Sequence, residues 1–309
     1  MTAAVTLDGV VRRFGAVTAL DRVTLDVPAG GMFGLIGPDG AGKTTAIRLM
    51  CGLLRPDAGA VRVLGHDPAR EHRRITGEVG YLSQRFSLYG DLTVDENIAF
   101  FAEVHGVGGY ARRRDQLLEM TRLTPFRRRL ASRLSGGMKQ KLALACTLVH
   151  EPRLLLLDEP TTGVDPVSRR EFWKLLSGFL SGGMTILMST PYLDEAERCG
   201  RVALLHEGRV LDADAPSAIR ARMPGQVVEI SGGRLAAAGV RRLPGVSDAQ
   251  AFGDRVHATL VADGHEGDAA ARLGAALQAT PMAGARVRAI PASLEDVFIA
   301  RLAREEAAS

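Results

Sequence analysis

The chain is 309 residues long and carries 39 Lys and Arg against 35 Asp and Glu, a formal net charge of +4 at pH 7. That length suits one large domain plus a smaller one and needs no disulfides to hold a core. The charge is too mild for a nucleic-acid surface, and arginine dominates it, since lysine occurs only at 43, 139, 141 and 174. The cysteines, Cys51, Cys146 and Cys199, make no C-x-x-C pair or metal spacing, which favours a reducing cytoplasm. No basic segment followed by an apolar one marks residues 1–11, and no window approaches about 18 uninterrupted apolar residues, so neither a signal peptide nor a membrane span is expected.

Residues 5–27 alternate apolar and polar about a turn at Gly15, which predicts an antiparallel pair of strands. Phe14 stands just before that turn, where an aromatic ring serves core packing as well as it serves stacking. Met32, Phe33, Gly34, Leu35 and Ile36 form an apolar run that reads as a buried strand. It runs into Gly37-Pro38-Asp39-Gly40-Ala41-Gly42-Lys43-Thr44-Thr45 and then into a helical Ala46-Ile47-Arg48-Leu49-Met50. This is a G-x-x-x-x-G-K-[ST] phosphate loop between a strand and a helix. Its glycines let backbone N–H groups turn inward around phosphate oxygens, and the helix start adds partial positive charge. Lys43 supplies a full charge for the outer phosphates and Thr44 a hydroxyl for Mg²⁺. The stretch predicts a site for a nucleoside triphosphate.

Beyond it, residues 53–63 hold a Pro-Asp-Ala-Gly turn and a short strand, and residues 78–84 read as a strand ending at Gln84. Helices are expected over 93–105, with Asp95 and Glu96 in its first turn, over 111–123 and over 138–149. The runs Arg112-Arg113-Arg114 and Arg127-Arg128-Arg129 read as solvated helix faces. Leu154-Leu155-Leu156-Leu157 is a central-strand pattern that ends in Asp158 and Glu159. A helix over 166–180 leads to a buried strand over 184–190, and the alternation implies an α/β core. Near Pro224 the texture changes. Strands are expected over 226–230, 246–252, 255–261 and 287–290, with a helix over 267–278. A last helix starts at Ser293, with Asp296 completing a capping box.

Asp158, at a strand end, suits Mg²⁺ directly or through water, and Glu159 beside it suits polarising an attacking water. Leu134-Ser135-Gly136-Gly137-Met138-Lys139-Gln140 places a serine and two glycines at a helix start, a second anion-seeking N-terminus. An ordinary N-cap on Ser135 explains the serine but not the glycine pair.

Over about residues 4–220 the chain resembles the ATP-binding cassette (ABC) ATPases. The resemblance implies an α/β fold: a P-loop nucleotide-binding domain with a mixed sheet core, an antiparallel β edge and a helical subdomain at about 86–150. It would occupy residues 1–221; the strand and helix pattern beyond it predicts a small α+β accessory domain at 222–309, read as dimerising or regulatory. It implies ATP and Mg²⁺ as ligands. Residues 134–140 would be the signature motif, with Ser135, Gly136 and Gly137 capping the γ-phosphate of ATP held on the phosphate loop of a second nucleotide-binding domain. Gln84 matches the glutamine that senses Mg²⁺ and water, Phe14 the aromatic that stacks on adenine, and Asp165 the D-loop aspartate, with Val164 where leucine is commoner.

One position departs from the family pattern. The strand ending Ser189-Thr190 is followed there by a switch histidine that contacts the γ-phosphate, and here by Pro191, which has neither imidazole nor N–H. His150 and His206 are not obvious replacements. A homodimer would lack the histidine in both sites, whereas pairing with a histidine-bearing relative would leave one normal site; both assemblies stay open. So does a nucleotide-binding regulatory subunit with very weak hydrolysis.

Residues 84–94 resemble the early helical subdomain of bacterial drug-resistance-type export ATPases, in which Phe86, Leu88 and Tyr89 would meet a membrane subunit. Ala292-Ser293-Leu294-Glu295-Asp296-Val297-Phe298 resembles the ending of those exporters. The implied protein is an ATP-hydrolysing transporter subunit, cytoplasmic and peripheral on the inner face of the cell membrane, driving a separate integral membrane permease. An ABC ATPase acting on DNA or ribosomes would carry a coiled-coil insertion or a second cassette, and a GTPase an Asn-Lys-x-Asp segment; the sequence has none of these.

Overall fold

The computed structural model describes residues 3–84, 87–232, 236–261 and 269–308. Its packing divides the chain into two units, Met1–Asp214 and Ala215–Ser309.

In the first unit, β1 (Ala3–Phe14) and β2 (Val17–Pro28) pair antiparallel around Gly15, which takes a φ of +58°. Next come β3 (Met32–Ile36), α1 (Lys43–Met50) and β4 (Ala58–Val63), the last pairing antiparallel with β1 to complete a three-stranded sheet. Then α2 (His72–Glu78) leads directly into β5 (Val79–Leu82). The sequence-predicted strand over 78–84 is therefore shorter, and Glu78 closes a helix. That helix escapes a periodicity test because it buries one apolar residue, Ile75.

The helical region holds α3 (Val94–Val104), α4 (Ala111–Thr121) and α5 (Gly136–Thr147). Helix α3 is opened by a capping box: Glu96 N–H donates to Thr93 Oγ1 at 3.2 Å, and Thr93 N–H donates to the Glu96 carboxylate at 2.7 Å. The arginine runs are only partly solvated. Arg112, Arg128 and Arg129 are exposed, but Arg127 pairs with Asp95 at 3.0 Å and Asp115 at 3.1 Å, and Arg114 pairs with Asp115 at 3.1 Å.

The chain then forms β6 (Leu154–Asp158), α6 (Pro166–Ser181), β7 (Thr185–Thr190), α7 (Leu193–Ala196), β8 (Arg201–His206) and β9 (Arg209–Asp214). The main sheet has the order β5-β6-β7-β3-β8-β9, parallel except for the final antiparallel pair. Leu154 to Leu157 are fully buried in it, each contributing about 1.5–3 kcal/mol of burial. The core continues between this sheet and the three-stranded one through Leu7, Val10, Leu35, Ile47 and Leu205. Strands β3, β5, β6 and β7 end at the same edge, the edge where parallel sheets bind ligands.

The second unit comprises α8 (Pro216–Ala221), β10 (Gln226–Ser231), α9 (Ala237–Val240), β11 (Val246–Phe252), β12 (Arg255–Leu260), α10 (Ala269–Gln278), β13 (Arg286–Ile290) and α11 (Leu294–Ala308). Its antiparallel sheet has the order β11-β12-β10-β13 and packs Val228, Ile230 and Ala258 with Leu273 and Leu277 of α10. Ser293 and Asp296 form the expected capping box, with Asp296 N–H donating to Ser293 Oγ at 3.1 Å and Ser293 N–H to the Asp296 carboxylate at 2.8 Å. Gly267, the expected start of the helix before β13, lies outside the described residues.

Candidate functional site

Between β3 and α1 the loop of residues 37–42 wraps the helix start, and glycine is required at two of its positions. A Cβ on Gly37 would collide with the Leu205 carbonyl oxygen, and one on Gly42 with that of Ala19; Gly42 also takes a φ of +101°. Gly42 caps α1 without any side-chain hydrogen bond, so the N-terminus of the helix is open to an anion. The Lys43 ammonium is buried, donates to Gly37 O at 2.8 Å and Pro38 O at 2.9 Å, and lies 3.0 Å from Glu159 Oε1.

Opposite stand the ends of β6 and β7. Asp158 and Ser189 are paired in register, which brings Ser189 Oγ to donate to Asp158 Oδ1 at 2.7 Å. The same Oδ1 accepts from Thr44 Oγ1 at 3.0 Å. Asp158 Oδ2 is buried and has no hydrogen-bond partner among the described residues. Burial pushes the Asp158 carboxyl above the usual carboxylate range, the bonds from Ser189 and Thr44 pull it down, and the Glu159 charge adds to the rise. Glu159 takes a φ of +47°, a conformation that costs a non-glycine residue about 1–3 kcal/mol and gathers at functional sites. Its N–H donates to Ser189 Oγ at 3.0 Å, and its Oε2 accepts from Gln84 Nε2 at 3.1 Å and Thr162 Oγ1 at 3.4 Å.

A cleft of about 730 Å³ beside them is lined by Phe14, Ala19, the loop from Asp39 to Thr45, Gln84, Glu159, Thr162, Pro191 and Tyr192; the buried Asp158 and Ser189, and Gly37 and Pro38, are not among the described residues that line it. Pro191, the departure from the family pattern, is thus part of the wall. Ser135, Gly136, Gly137 and Asp165 are not among the described residues that line it.

Those four residues sit elsewhere in the first unit. Ser135 caps α5, accepting from Met138 N–H at 3.3 Å. A Cβ on Gly137 would collide with the Ser168 side chain of α6, so that glycine serves internal packing. Gly136 faces open space, and nothing in its own chain demands a glycine there. Asp165 caps α6, accepting from the N–H groups of Val167 and Ser168 at 3.0 Å each, and the bonds from Ser168 hold its carboxyl below the usual range.

Residues 20–162 match the family model described as ABC transporter. A probable multidrug ABC transporter ATP-binding protein, YbhF, of Escherichia coli (strain K12) is 46% identical over 266 residues, covering 84% of this chain and 46% of that protein. The Nod factor export ATP-binding protein I of Rhizobium sp. (strain N33) is 35% identical over 306 residues, 98% of each chain. The chain belongs to the ABC transporter family.

A solved ATP-binding subunit of an ABC transporter superposes on the cassette with a TM-score of 0.65 at 32% identity, covering 72% of this chain and 93% of that one. The chain spans about half the length of the multidrug relative it matches. Cassettes of this family bind ATP, and the α/β architecture with its mixed and antiparallel sheets is that of the family.

Sequence reasoning did not assign roles to Ser189, Thr162 and Tyr192. Ser189 was legible as a strand end, but its contact with Asp158 depends on β6 and β7 being neighbours. Thr162 lies three residues after Glu159, and its hydroxyl turns back only because the chain bends there, with Thr162 N–H donating to Glu159 O at 3.2 Å.

Proposed function

We propose that the cassette is the ATP-binding and ATP-hydrolysing subunit of an exporter, at the inner face of the cell membrane, and that it drives a separate integral membrane permease. Residues 1–221 form the nucleotide-binding domain in this reading and residues 222–309 an accessory domain. The observation that carries it is the single cleft in which the open end of α1 meets Lys43, Gln84 and Glu159. The triphosphate lies along residues 37–45, with Lys43 at its outer phosphates and Phe14 against the adenine.

Mg²⁺ fits the same place. Asp158 Oδ2 is buried without a partner, and the Thr44 hydroxyl already meets the other oxygen of that carboxylate. Thr44 and Asp158 would hold the cation, with Gln84 beside them, and when bound it offsets charge on the outer phosphates. Glu159 accepts the proton of a water attacking the terminal phosphorus, whose bond to the bridging oxygen breaks as ADP leaves. Gln84 and Thr162 hold its Oε2, and Ser189 holds its N–H. For this to happen Glu159 must exchange its contact with Lys43 for one with water, which the incoming phosphates promote by taking over the ammonium.

Ser135 and Gly136 cap the γ-phosphate of ATP held by a second cassette. Their absence from their own cleft and the open space at Gly136 support that reading. ATP then favours the closed pair of cassettes over the open one, and that difference in binding free energy is what moves the permease. Among the described residues no helix is long and apolar enough to cross a membrane. A surface for a permease helix is offered by Tyr89 and Leu53, both exposed, and by a cavity of about 210 Å³ in which Leu53, Ile75, Val79 and Phe101 line the wall beside His72, His105 and His150. Phe86, expected at the same contact, lies outside the described residues. The export assignment is supported by the names of the multidrug and Nod factor relatives.

The test is Glu159→Gln. The variant should retain Mg·ATP and accumulate as a dimer on size exclusion, with turnover lowered by roughly 10²–10⁴-fold. Wild-type turnover in that variant would remove Glu159 from the role of base.

A further inference from the structure

Phe14 is 45% exposed and lines the ATP cleft, an unusual place for a large ring to keep one orientation without help. The help comes from two residues earlier on the same strand, and so from the same face of it. The Arg12 guanidinium lies over the Phe14 ring, 4.7 Å from its centroid. Arg12 is itself fixed: its Nη1 donates to Asp57 Oδ1 at 2.9 Å and to Arg55 O at 3.2 Å. Asp57 grips β1 twice more, its Oδ2 accepting from Arg13 N–H at 2.6 Å and its own N–H donating to Val11 O at 2.8 Å. Asp57 stands between the end of α1 and the start of β4. The helix that begins at the phosphate loop is therefore tied, through its own exit loop, to the ring at the other end of the cleft.

We propose that Arg12, held by Asp57, is a positioning residue for nucleobase binding: it covers one face of Phe14 so that the other face is presented to the purine of ATP. The proposal rests on the reading of this cleft as the ATP site and adds to it a three-layer stack of guanidinium, phenyl ring and base. A guanidinium on one face holds the ring by cation–π attraction while its fork stays bonded to the exit loop. Lysine would keep the charge but not the planar layer or the paired bonds. Arg12 reaches the base only through Phe14, so its removal should affect ligands that carry a base and spare those that carry phosphates alone.

The experiment compares affinities of the full chain for Mg·ATP and for inorganic tripolyphosphate with Mg²⁺, by calorimetry, in wild type, Arg12→Gln, Asp57→Asn and Phe14→Ala. Arg12→Gln and Asp57→Asn should each weaken ATP by about 2–5-fold and leave tripolyphosphate unchanged. Phe14→Ala should weaken ATP by about 5–100-fold with the same selectivity. Equal losses for both ligands would make Arg12 a part of the scaffold only and overturn the proposal. So would unchanged ATP affinity in Arg12→Gln and Asp57→Asn. If Phe14→Ala leaves ATP affinity intact, the base does not stack there and the inference fails while the phosphate site stands. If the wild type binds neither ligand, the reading of the cleft itself fails.

Discussion

Ser189→Ala removes one hydroxyl from a fully buried position and reads out the electrostatics of the site. In the structure that hydroxyl donates to Asp158 Oδ1 at 2.7 Å and accepts from Glu159 N–H at 3.0 Å. The amide of Glu159 keeps a second acceptor, Ser189 O at 3.2 Å, so the loss falls mainly on Asp158. A hydrogen bond to an ionised group contributes about 1.5–3 kcal/mol, equivalent to about 10–150-fold in an equilibrium constant. Burial already pushes the Asp158 carboxyl up, and the Ser189 bond opposes it, so the substitution raises that pKa further. A cation needs the ionised carboxylate. Mg²⁺ half-saturation of ATPase activity should therefore rise by ~10-fold or more, and the acid limb of the pH–rate profile should move to higher pH.

The metal-free stability must follow the same sign. The folded pKa lies above the unfolded one, so the contribution of Asp158 to stability is fully present below the unfolded pKa and lost as pH rises through the folded one. Ser189→Ala should enlarge the fall in Tm between acid and neutral pH in EDTA, and Mg·ATP should recover part of it. An unchanged Mg²⁺ requirement together with an unmoved acid limb would refute the assignment of Asp158 as the cation's ligand.

Pro191→His should raise steady-state turnover of the reconstituted transporter by roughly 10²–10⁴-fold, because it places an acid–base group in the cleft wall; unchanged turnover would show that the position does not limit the rate. The two signature glycines should separate cleanly. Gly137→Val meets the Ser168 side chain and should lower stability by about 1–3 kcal/mol in a denaturant titration. Gly136→Asp has room in its own chain, so Tm and monomeric ATP binding should be kept and ATP-driven dimerisation lost. Dimerisation surviving in Gly136→Asp would argue against a phosphate at that helix start.

The parts of the site legible in the sequence are those whose chemistry is local. The loop from Gly37 to Thr45 carries its strand, its turn glycines, its lysine and its helix start within one stretch. Ser135, read as an N-cap, likewise acts on an N–H group three residues away. What escaped depends on lateral order in the sheet or on reach across the fold. Ser189 matters because β7 lies beside β6, and Arg12 because Asp57, 45 residues on, folds back onto β1. The arginine runs misled for the same reason: Asp95 is 32 residues from Arg127, and no pattern of helix faces foretells their pairing. Helix α2 was missed because a helix with one buried residue leaves no period to read, β8 because a four-residue buried run has no period that tells strand from helix, and β9 because an edge strand that is partly buried beyond its first residue shows no alternation.

The central claim is that two anion-seeking helix starts, at Lys43 and at Ser135, share one triphosphate across a subunit boundary. The most direct measurement is a structure of Glu159→Gln trapped with Mg·ATP. The account predicts a terminal phosphate contacted by Lys43 of one subunit and, at about 3 Å, by Ser135 of the partner subunit. A triphosphate bound on residues 37–45 with both copies of Ser135 remote from it would contradict the account.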